Sequence, residues 1–210
     1  MSDKDSNWRY AEEFVTESDA ISAARHQSVE LGIDAITPAV GAQIALIAAA
    51  TGASSIIEIG TGVGVSGLWL FTGAPSAILT TIDIEADHLQ QAKKNFADAG
   101  VPTNRVRLIT GRALDVLPRM NEHSYDIVLV DADPGKVIEY VEHGLRLVRA
   151  GGTVIVTHAL WRGKVADPAA RDETTAGYRA LLREIASSDA VISALSPVGD
   201  GVLQLTKKHD

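Results

Sequence analysis

The chain of 210 residues is 46% hydrophobic and 22% charged, a composition typical of one globular domain and not of a disordered chain. Its formal net charge of -8 repels phosphate backbones and no basic patch offsets it, so we expect no nucleic-acid partner. Cysteine is absent, which excludes disulfides, thiolate metal sites and cysteine nucleophiles. The longest apolar run, Ile44 to Ala50, is too short to span a membrane, and the acidic segment Met1 to Asp5 lacks the layout of a secretory signal. We therefore expect a cytoplasmic protein that does not bind membranes.

Residues 1 to 50 are predicted to form N-terminal helices that belong to the same domain as the core, which covers residues 51 to 210. In the core, short β-rich runs alternate with helical patterns, and most of these runs are continuously apolar. Such runs are typical of parallel strands in a sheet that helices cover on both faces. The predicted strands are Ser55 to Ile59, Ile78 to Asp83, Arg105 to Ile109, Asp126 to Val130 and Thr153 to Thr157.

The C-terminal part breaks this alternation. Helices are predicted at Asp87 to Ala99, at Pro134 to Val148 and at Asp172 to Ser187. After the last of them, two β-rich runs, Ala190 to Leu195 and Val202 to Lys207, follow each other with only a turn between them. The pattern predicts an α/β fold with a doubly wound, Rossmann-like, seven-stranded and mostly parallel sheet. The last strand is inserted beside the others as part of a C-terminal antiparallel hairpin.

A glycine-rich turn, Gly60-Thr61-Gly62-Val63-Gly64, follows the first predicted strand. In a doubly wound sheet the ligand binds at the carboxyl ends of the strands, and glycines let it approach the backbone. The segment Gly62 to Gly67 also matches the dinucleotide fingerprint, with Asp83 placed as a ribose-binding acid. A nicotinamide-dependent oxidoreductase is therefore one alternative.

The carboxylate of Glu58, two residues before the turn, favours a different ligand. It would repel a pyrophosphate, whereas S-adenosylmethionine carries a sulfonium and an amino group that an acid attracts. In this interpretation Ser66 and the amides of the following helix bind the carboxylate of the methyl donor, and Asp83 binds its ribose. A turn that binds no ligand is the remaining alternative.

Further motifs continue from about Ile36 to the C-terminus, and their order and spacing are specific. They are Ile36-Thr37-Pro38 with Gly41-Ala42-Gln43, Glu58-Ile59-Gly60-Thr61-Gly62 with Ser66, Thr81-Ile82-Asp83, Gly111-Arg112-Ala113-Leu114, Val130-Asp131-Ala132-Asp133, Ala159 to Val165, and Val198-Gly199-Asp200-Gly201. In these motifs the chain resembles the catechol and caffeoyl-CoA type of S-adenosylmethionine-dependent O-methyltransferases, O-methyltransferase family 3.

The resemblance implies an enzyme that transfers a methyl group from S-adenosylmethionine to a hydroxyl of a small molecule. It also implies which residues contact the cofactor. These are Ile36 at the methionine end, Ser66 at the carboxylate, Asp83 at the ribose, Ala113 at the adenine, and Glu58, Gly60, Thr61 and Asp131 along the cofactor.

Three positions depart from the family pattern. Pro134 stands where the family usually has a lysine that is thought to help deprotonate the acceptor. Thr157 and His158 replace an Asp-Asn pair that completes a divalent metal site, of which only Asp131 remains. One carboxylate with a threonine and an imidazole suits magnesium poorly, and zinc, manganese or iron would find few ligands. We therefore expect loss of metal dependence and assign no metal ligands.

Asp131 and His158 are the predicted catalytic residues. Both lie at the ends of apolar strands, at the edge of the sheet where the cofactor is expected. Asp131 would face the sulfonium, a metal or the acceptor hydroxyl. Histidine as a residue type suits proton transfer near working pH, so His158 is a candidate general base, with a structural histidine as the alternative.

The predicted partners are a small-molecule hydroxyl acceptor and a second copy of the chain. The N-terminal segment with Trp8, Tyr10 and Phe14 carries more apolar surface than a peripheral helix needs, which predicts a homodimer. The departures from the family also leave open a homologue that binds the cofactor without catalysing a reaction.

Overall fold

A computed structural model describes residues 3 to 209, so Met1 and Ser2 of the acidic N-terminal segment lie outside the described residues. Within that range, the strands are β1 (Ser55–Ile59), β2 (Ile78–Asp83), β3 (Val106–Thr110), β4 (Tyr125–Val130), β5 (Val148–Val156), β6 (Val191–Ser196) and β7 (Val202–Lys207). The helices are α1 (Asp3–Glu13), α2 (Asp19–Glu30), α3 (Pro38–Ala50), α4 (Val65–Gly73), α5 (Ala86–Asp98), α6 (Ala113–Val116), α7 (Val137–Leu147) and α8 (Glu173–Ser187).

The described strands form one sheet of seven in the order β3-β2-β1-β4-β5-β7-β6. The first five pair in parallel, whereas β7 lies antiparallel between β5 and β6. The predicted α/β fold with an inserted last strand is thus confirmed. The chain order reverses between β1 and β4, and loops that leave neighbouring strands in opposite directions open a crevice at their carboxyl ends.

The sheet is hidden between two helical layers because its central strands are apolar on both faces. Ile56 and Leu129 pack with α2, α3, α4 and α5 on one side, and Ile57 and Val128 pack with α7 and α8 on the other. All four side chains are 1% exposed or less. Burial on both faces explains why β4 is apolar throughout from Ile127 to Val130 and why β1 shows no alternation of apolar and polar residues, with Glu58 as its one charged residue.

Two predicted boundaries differ from the structure by more than one residue. The segment predicted as one helix from Pro134 starts with a 3₁₀ turn, Pro134–Lys136, before α7 begins. The fifth strand begins at Val148, earlier than predicted, because its pairing with β4 shifts register between Tyr125 and Ile127. Gly151 adopts a φ of +75° within that irregular stretch, a conformation that glycine tolerates. Because glycine residues usually indicate a turn, the start of the strand could not be identified from the sequence pattern.

The N-terminal helices pack on the core. Gly41 of α3 lies against the indole of Trp69 in α4, which brings the two helices close together. Glu12 ties α1 to two other segments: one carboxylate oxygen accepts hydrogen bonds from the Thr37 hydroxyl at 3.1 Å and the Gly199 amide at 3.3 Å. Across residues 3 to 209, none of the helices has the length and apolar character needed to cross a membrane.

Candidate active site

The glycine-rich turn after β1 has a backbone that only glycine adopts easily. Gly60, Gly62 and Gly64 have φ values of +94°, +49° and +93°. A β-carbon on Gly60 would lie 1.9 Å from the carbonyl oxygen of Asp131, which follows β4. The absence of a side chain at Gly60 therefore lets the ends of β1 and β4 come together at the point where the crevice opens.

Glu58 lies beneath this turn in a chain of buried hydroxyl groups. Its two carboxylate oxygens accept hydrogen bonds from Ser66 Oγ at 2.6 Å and from Thr81 Oγ1 at 2.5 Å. When Glu58 is ionised, Thr81 uses its only proton on Glu58, so the Thr61 hydroxyl, 2.6 Å away, donates to Thr81. The four side chains hold the turn, the start of α4 and β2 in one arrangement.

Burial dominates the protonation of Glu58. The side chain is fully buried, and the loss of solvent raises its pKa from 4.5 to about 8. The hydrogen bonds from Ser66 and Thr81 oppose this shift, whereas the nearby charges of Asp131 and Asp83 add to it. A positive group bound above the turn would favour the ionised form of Glu58.

Asp83, at the end of β2, shapes the turn from the other side. Its Oδ2 accepts hydrogen bonds from the amides of Thr61 at 3.0 Å and Gly62 at 2.8 Å. Its Oδ1 accepts one from the amide of Glu85 at 2.9 Å. The carboxylate predicted to bind a ribose is thus held rigidly beside the crevice.

Two neighbouring cavities that share lining residues, among them Gly60 and Asp131, follow the turn. The larger, about 380 Å³, is lined by Gly60, Asp83, Ala113 and Asp131 among others. The smaller, about 50 Å³, is lined by Ile36, Gly60, Thr61, Ser66 and Asp131. Seven of the eight predicted cofactor residues therefore line this pair of cavities, and Glu58 lies behind their wall. We call the pair the donor cleft.

A third cavity of about 570 Å³ opens beside the donor cleft, and we call it the outer cavity. It shares Asp34, Ala35 and Ile36 with the smaller donor cavity. Its wall also carries Thr157 and His158 from the end of β5. The remaining lining comes from α1, the start of α3, and the loops before β7 and after β5: Trp8, Glu12, Thr37, Pro38, Val40, Arg162, Gly199 and Asp200.

The structure brings the two predicted catalytic residues together between these cavities. Asp131 Oδ1 accepts a hydrogen bond from Thr157 Oγ1 at 2.6 Å and lies 3.6 Å from His158 Nε2. Burial raises the pKa of Asp131, while the His158 charge and the Thr157 hydrogen bond lower it. The charge of Asp34 raises it further.

Asp200 is a site residue to which the sequence analysis gave no role. Its Oδ2 lies 3.4 Å from His158 Nδ1, so the imidazole stands between two carboxylates. His158 itself has a φ of +53°, which turns its side chain away from the line of β5. The segment Val198-Gly199-Asp200-Gly201 belongs to the motifs of the family resemblance, and that motif is the sequence signal by which Asp200 could have been found.

The residues at the family's metal positions do not fit a magnesium ion. Magnesium prefers several oxygen ligands, and here a neutral hydroxyl and an imidazole accompany one carboxylate. The Thr157 hydroxyl moreover donates its proton to Asp131. Within residues 3 to 209 no three histidine or acidic side chains group in a way that could hold a metal.

A doubly wound sheet with a glycine-rich turn, an acid after β2 and a cleft at the switch point defines an α/β protein that binds a nucleoside-containing cofactor. Residues 11 to 208 match the model of an O-methyltransferase family. The chain belongs to that family.

Individual relatives agree with this assignment. The chain is 45% identical over 200 residues to "Probable O-methyltransferase Rv1220c" of Mycobacterium tuberculosis, covering 95% of this chain and 89% of the relative. The crystal structure of the O-methyltransferase TomG from Streptomyces achromogenes, in complex with S-adenosylmethionine, is 29% identical with a TM-score of 0.85 and covers 100% of both chains. The Bacillus cereus O-methyltransferase in complex with S-adenosylhomocysteine is 25% identical with a TM-score of 0.83, covering 96% of this chain and 97% of that one.

These likenesses identify a methyltransferase whose cofactor is S-adenosylmethionine. They favour the methyl donor over the dinucleotide for the turn after β1, and nothing in them supports the oxidoreductase alternative. The donor cleft is lined by both polar and apolar residues, among them Ser66 in the smaller cavity and Ala113 in the larger.

Proposed function

We propose that this enzyme methylates a hydroxyl of a small molecule that binds in the outer cavity. The observation that carries the proposal is the meeting of the donor cleft and the outer cavity beside Asp131 and His158. A methyl transfer needs donor and acceptor held in line at about 3 to 3.5 Å, and two cavities that share a wall provide such an arrangement.

S-adenosylmethionine, when bound, supplies an electrophilic methyl carbon on a positively charged sulfur. In our proposal Ser66 and Thr61 hold the amino-acid end, Ile36 packs against it, Asp83 binds the ribose and Ala113 contacts the adenine. Gly60 and Asp131 line the middle of the cleft, and Glu58 favours the positive charge from beneath the turn. A rigid cleft of this kind orients the donor without a further conformational cost.

His158 removes the acceptor proton in this proposal. The proton of the acceptor O–H would pass to His158 Nε2, and the electron pair left on oxygen would be free to take the methyl group that bound S-adenosylmethionine would supply, with thioether sulfur as the leaving group. Asp131, 3.6 Å from the same imidazole nitrogen, stabilises the imidazolium that results. His158 thereby takes the place of the lysine that Pro134 replaces.

Calorimetry and a transfer assay test the proposal together. We expect S-adenosylmethionine and S-adenosylhomocysteine to bind with micromolar dissociation constants and NAD not to bind. Labelled methyl donor should then give an O-methylated product with catechols or other small phenols, detected by mass spectrometry. Binding of the donor with no transfer to any hydroxyl would contradict the proposal and support a homologue that binds without catalysing.

We also propose that the enzyme is a homodimer. Tyr10 and Phe14, one helical turn apart on α1 and just beyond its end, are 74% and 79% exposed. Exposed aromatic side chains at this spacing are more typical of an interface than of a solvated helix. The location in the cytoplasm stays a prediction.

A further inference from the structure

Asp200 and His158 are held against each other by the loops that carry them. The loop after β5 donates two backbone hydrogen bonds to the loop before β7, from Ala159 to Gly201 and from Leu160 to Asp200, both at 2.9 Å. The amide of Arg162 donates a third bond to Asp200 Oδ1 at 2.6 Å. The Asp200 carboxylate is therefore fixed in orientation before any ligand binds.

The second oxygen of this carboxylate has no hydrogen-bond partner in the structure, and the His158 imidazole lies beside it. Asp200 Oδ2 is buried, makes no hydrogen bond to another group, and lies 3.4 Å from His158 Nδ1. A buried carboxylate oxygen without a donor is costly, so the nearest proton should turn toward it. The imidazole, whose side chain is 22% exposed, is the group that can supply that proton.

The opposite nitrogen faces a carboxylate whose oxygen is already satisfied. Asp131 Oδ1 already accepts the Thr157 hydroxyl proton at 2.6 Å and lies 3.6 Å from His158 Nε2, whereas Asp200 Oδ2, 3.4 Å from Nδ1, has no donor. Neither distance is that of a formed hydrogen bond, so what distinguishes the two sides is that only the Asp200 oxygen still needs a proton. The two sides of the ring are thus unequal, and the proton of the neutral imidazole is better placed on Nδ1. Nε2 then keeps its lone pair, on the side of the ring that faces Asp131 and the donor cleft.

We infer that Asp200 is the positioning residue of a histidine–carboxylate pair that prepares His158 to accept the proton of the acceptor hydroxyl. The inference rests on the proposed function of His158. Asp200 holds Nδ1–H, sets the tautomer and ring orientation, and stabilises the imidazolium after the proton is transferred to Nε2. The same division of roles is known for catalytic triads, where the carboxylate orients the base and is not itself protonated.

Asp200→Asn reverses the hydrogen bond without changing the size of the side chain. The single amide oxygen of the variant is required by the Arg162 amide, so its NH₂ group must face His158 Nδ1. This forces the ring proton onto Nε2 and removes the lone pair that the acceptor needs. Asp34→Asn is the matched control. Asp34 lines the outer cavity, as Asp200 does, but its carboxylate pairs with Arg162 at 2.9 Å and not with His158.

Nitrogen NMR of the full-length protein, with ¹⁵N-labelled histidine and no ligand, measures the tautomer directly. The spectra are recorded about two pH units above the ordinary histidine pKa of about 6.5, and His158 is assigned by the loss of its signal in His158→Gln. We expect the Nδ1–H tautomer in the wild type and in Asp34→Asn, and the Nε2–H tautomer in Asp200→Asn. An Nε2–H tautomer in the wild type, or no change in Asp200→Asn, would overturn the inference whether or not the protein methylates anything.

Kinetics supply the second readout. We expect Asp200→Asn to reduce kcat by about 100-fold or more, the size of a general-base contribution, with an unchanged Kd for the donor. In a His158→Ala background the same substitution should change kcat by less than about twofold, because the pair acts as a unit. Equal losses in both backgrounds would show a structural role and overturn the inference. The expected tautomers without any methyl transfer by the wild type would uphold the pair and contradict the proposed function instead.

Discussion

Glu58 supports the turn after β1 without lining the donor cleft. Its carboxyl group is hydrogen-bonded to Ser66 and Thr81 below the turn, and its pKa of about 8 keeps it protonated at neutral pH unless a positive group binds above it. The sequence analysis expected Glu58 to contact the cofactor directly, and that contact stays a prediction. The structure suggests an indirect role, in which Glu58 fixes Ser66 and supplies negative potential to the cleft.

The raised pKa of Glu58 makes the stability of the protein depend on pH. Between pH 4.5 and about 8 the folded protein retains a proton on Glu58 that the unfolded chain releases. The free energy of unfolding therefore falls as pH rises through this window, by up to about 1.4 kcal/mol per pH unit. We expect Glu58→Gln to flatten this dependence in urea unfolding curves measured from pH 5 to pH 8. Identical slopes for variant and wild type would show that Glu58 is ionised in the folded protein.

The replacement of the family's metal ligands leads to a prediction about chelation. Because Thr157 and His158 are poor ligands for magnesium, methyl transfer should survive exhaustive treatment with a chelator. His158→Ala should lower kcat by about 100-fold or more while leaving the Kd of the donor unchanged. The control is His26→Ala, because His26 is an exposed residue of α2 that lines none of the three cavities. Activity lost on chelation and restored by magnesium would disprove metal independence.

At the level of elements, the site depends on how closely the ends of β1 and β4 approach. Gly60 makes this approach possible, and the Asp131 carbonyl occupies the space of its missing side chain. The loops after β5 and before β7 meet in the same way across the other half of the sheet. Asp131 on one side of the sheet and His158 on the other are therefore each positioned by a pair of loops rather than by one.

Gly60→Ala tests this contact. The positive φ alone costs about 1 kcal/mol for alanine, and the steric conflict with Asp131 adds about 1 to 3 kcal/mol. Gly52→Ala separates the two terms, because Gly52 has a similar φ of +59° but no atom within 4 Å of the added carbon. We expect the larger loss in the free energy of unfolding for Gly60→Ala, together with weaker binding of the methyl donor. Equal losses in the two variants would mean that the turn can move away from β4.

At the scale of the whole molecule, α1 connects the surface with the outer cavity. Its Glu12 binds Thr37 and Gly199, and its Trp8 lines the cavity. A partner that covers Tyr10 and Phe14 would stabilise the same helix and so the wall of the acceptor site. Dimer formation and acceptor binding would then be linked.

Sedimentation at tens of micromolar protein tests the dimer. We expect the wild type to sediment as a dimer and Phe14→Glu to shift toward a monomer, because a charge replaces the most exposed aromatic ring of the segment. Leu46→Glu, on an exposed position of α3, is the control for a general effect of the added charge. A wild-type monomer would refute the homodimer.

Much of the fold could be predicted from the sequence because its signals are local. The apolar runs and the helix ends indicate the alternation of strands and helices. The turn before β7 indicates the hairpin with the inserted last strand. The glycine-rich turn with Glu58 and Asp83 indicated the methyl donor, and the family comparison confirms that cofactor. The start of β5 was predicted too late because the register shift interrupts the apolar pattern from which a strand is identified.

The sequence by itself determined the class of fold, the cofactor and the position of the crevice, since each follows from residues that are neighbours along the chain. Only the tertiary structure placed Glu58 behind the cleft wall and set Asp200 against His158. Asp200 meets His158 because β5 pairs antiparallel with β7, which puts the end of β5 beside the start of β7. Residues far apart in sequence thus meet at one imidazole, a contact that local patterns do not encode.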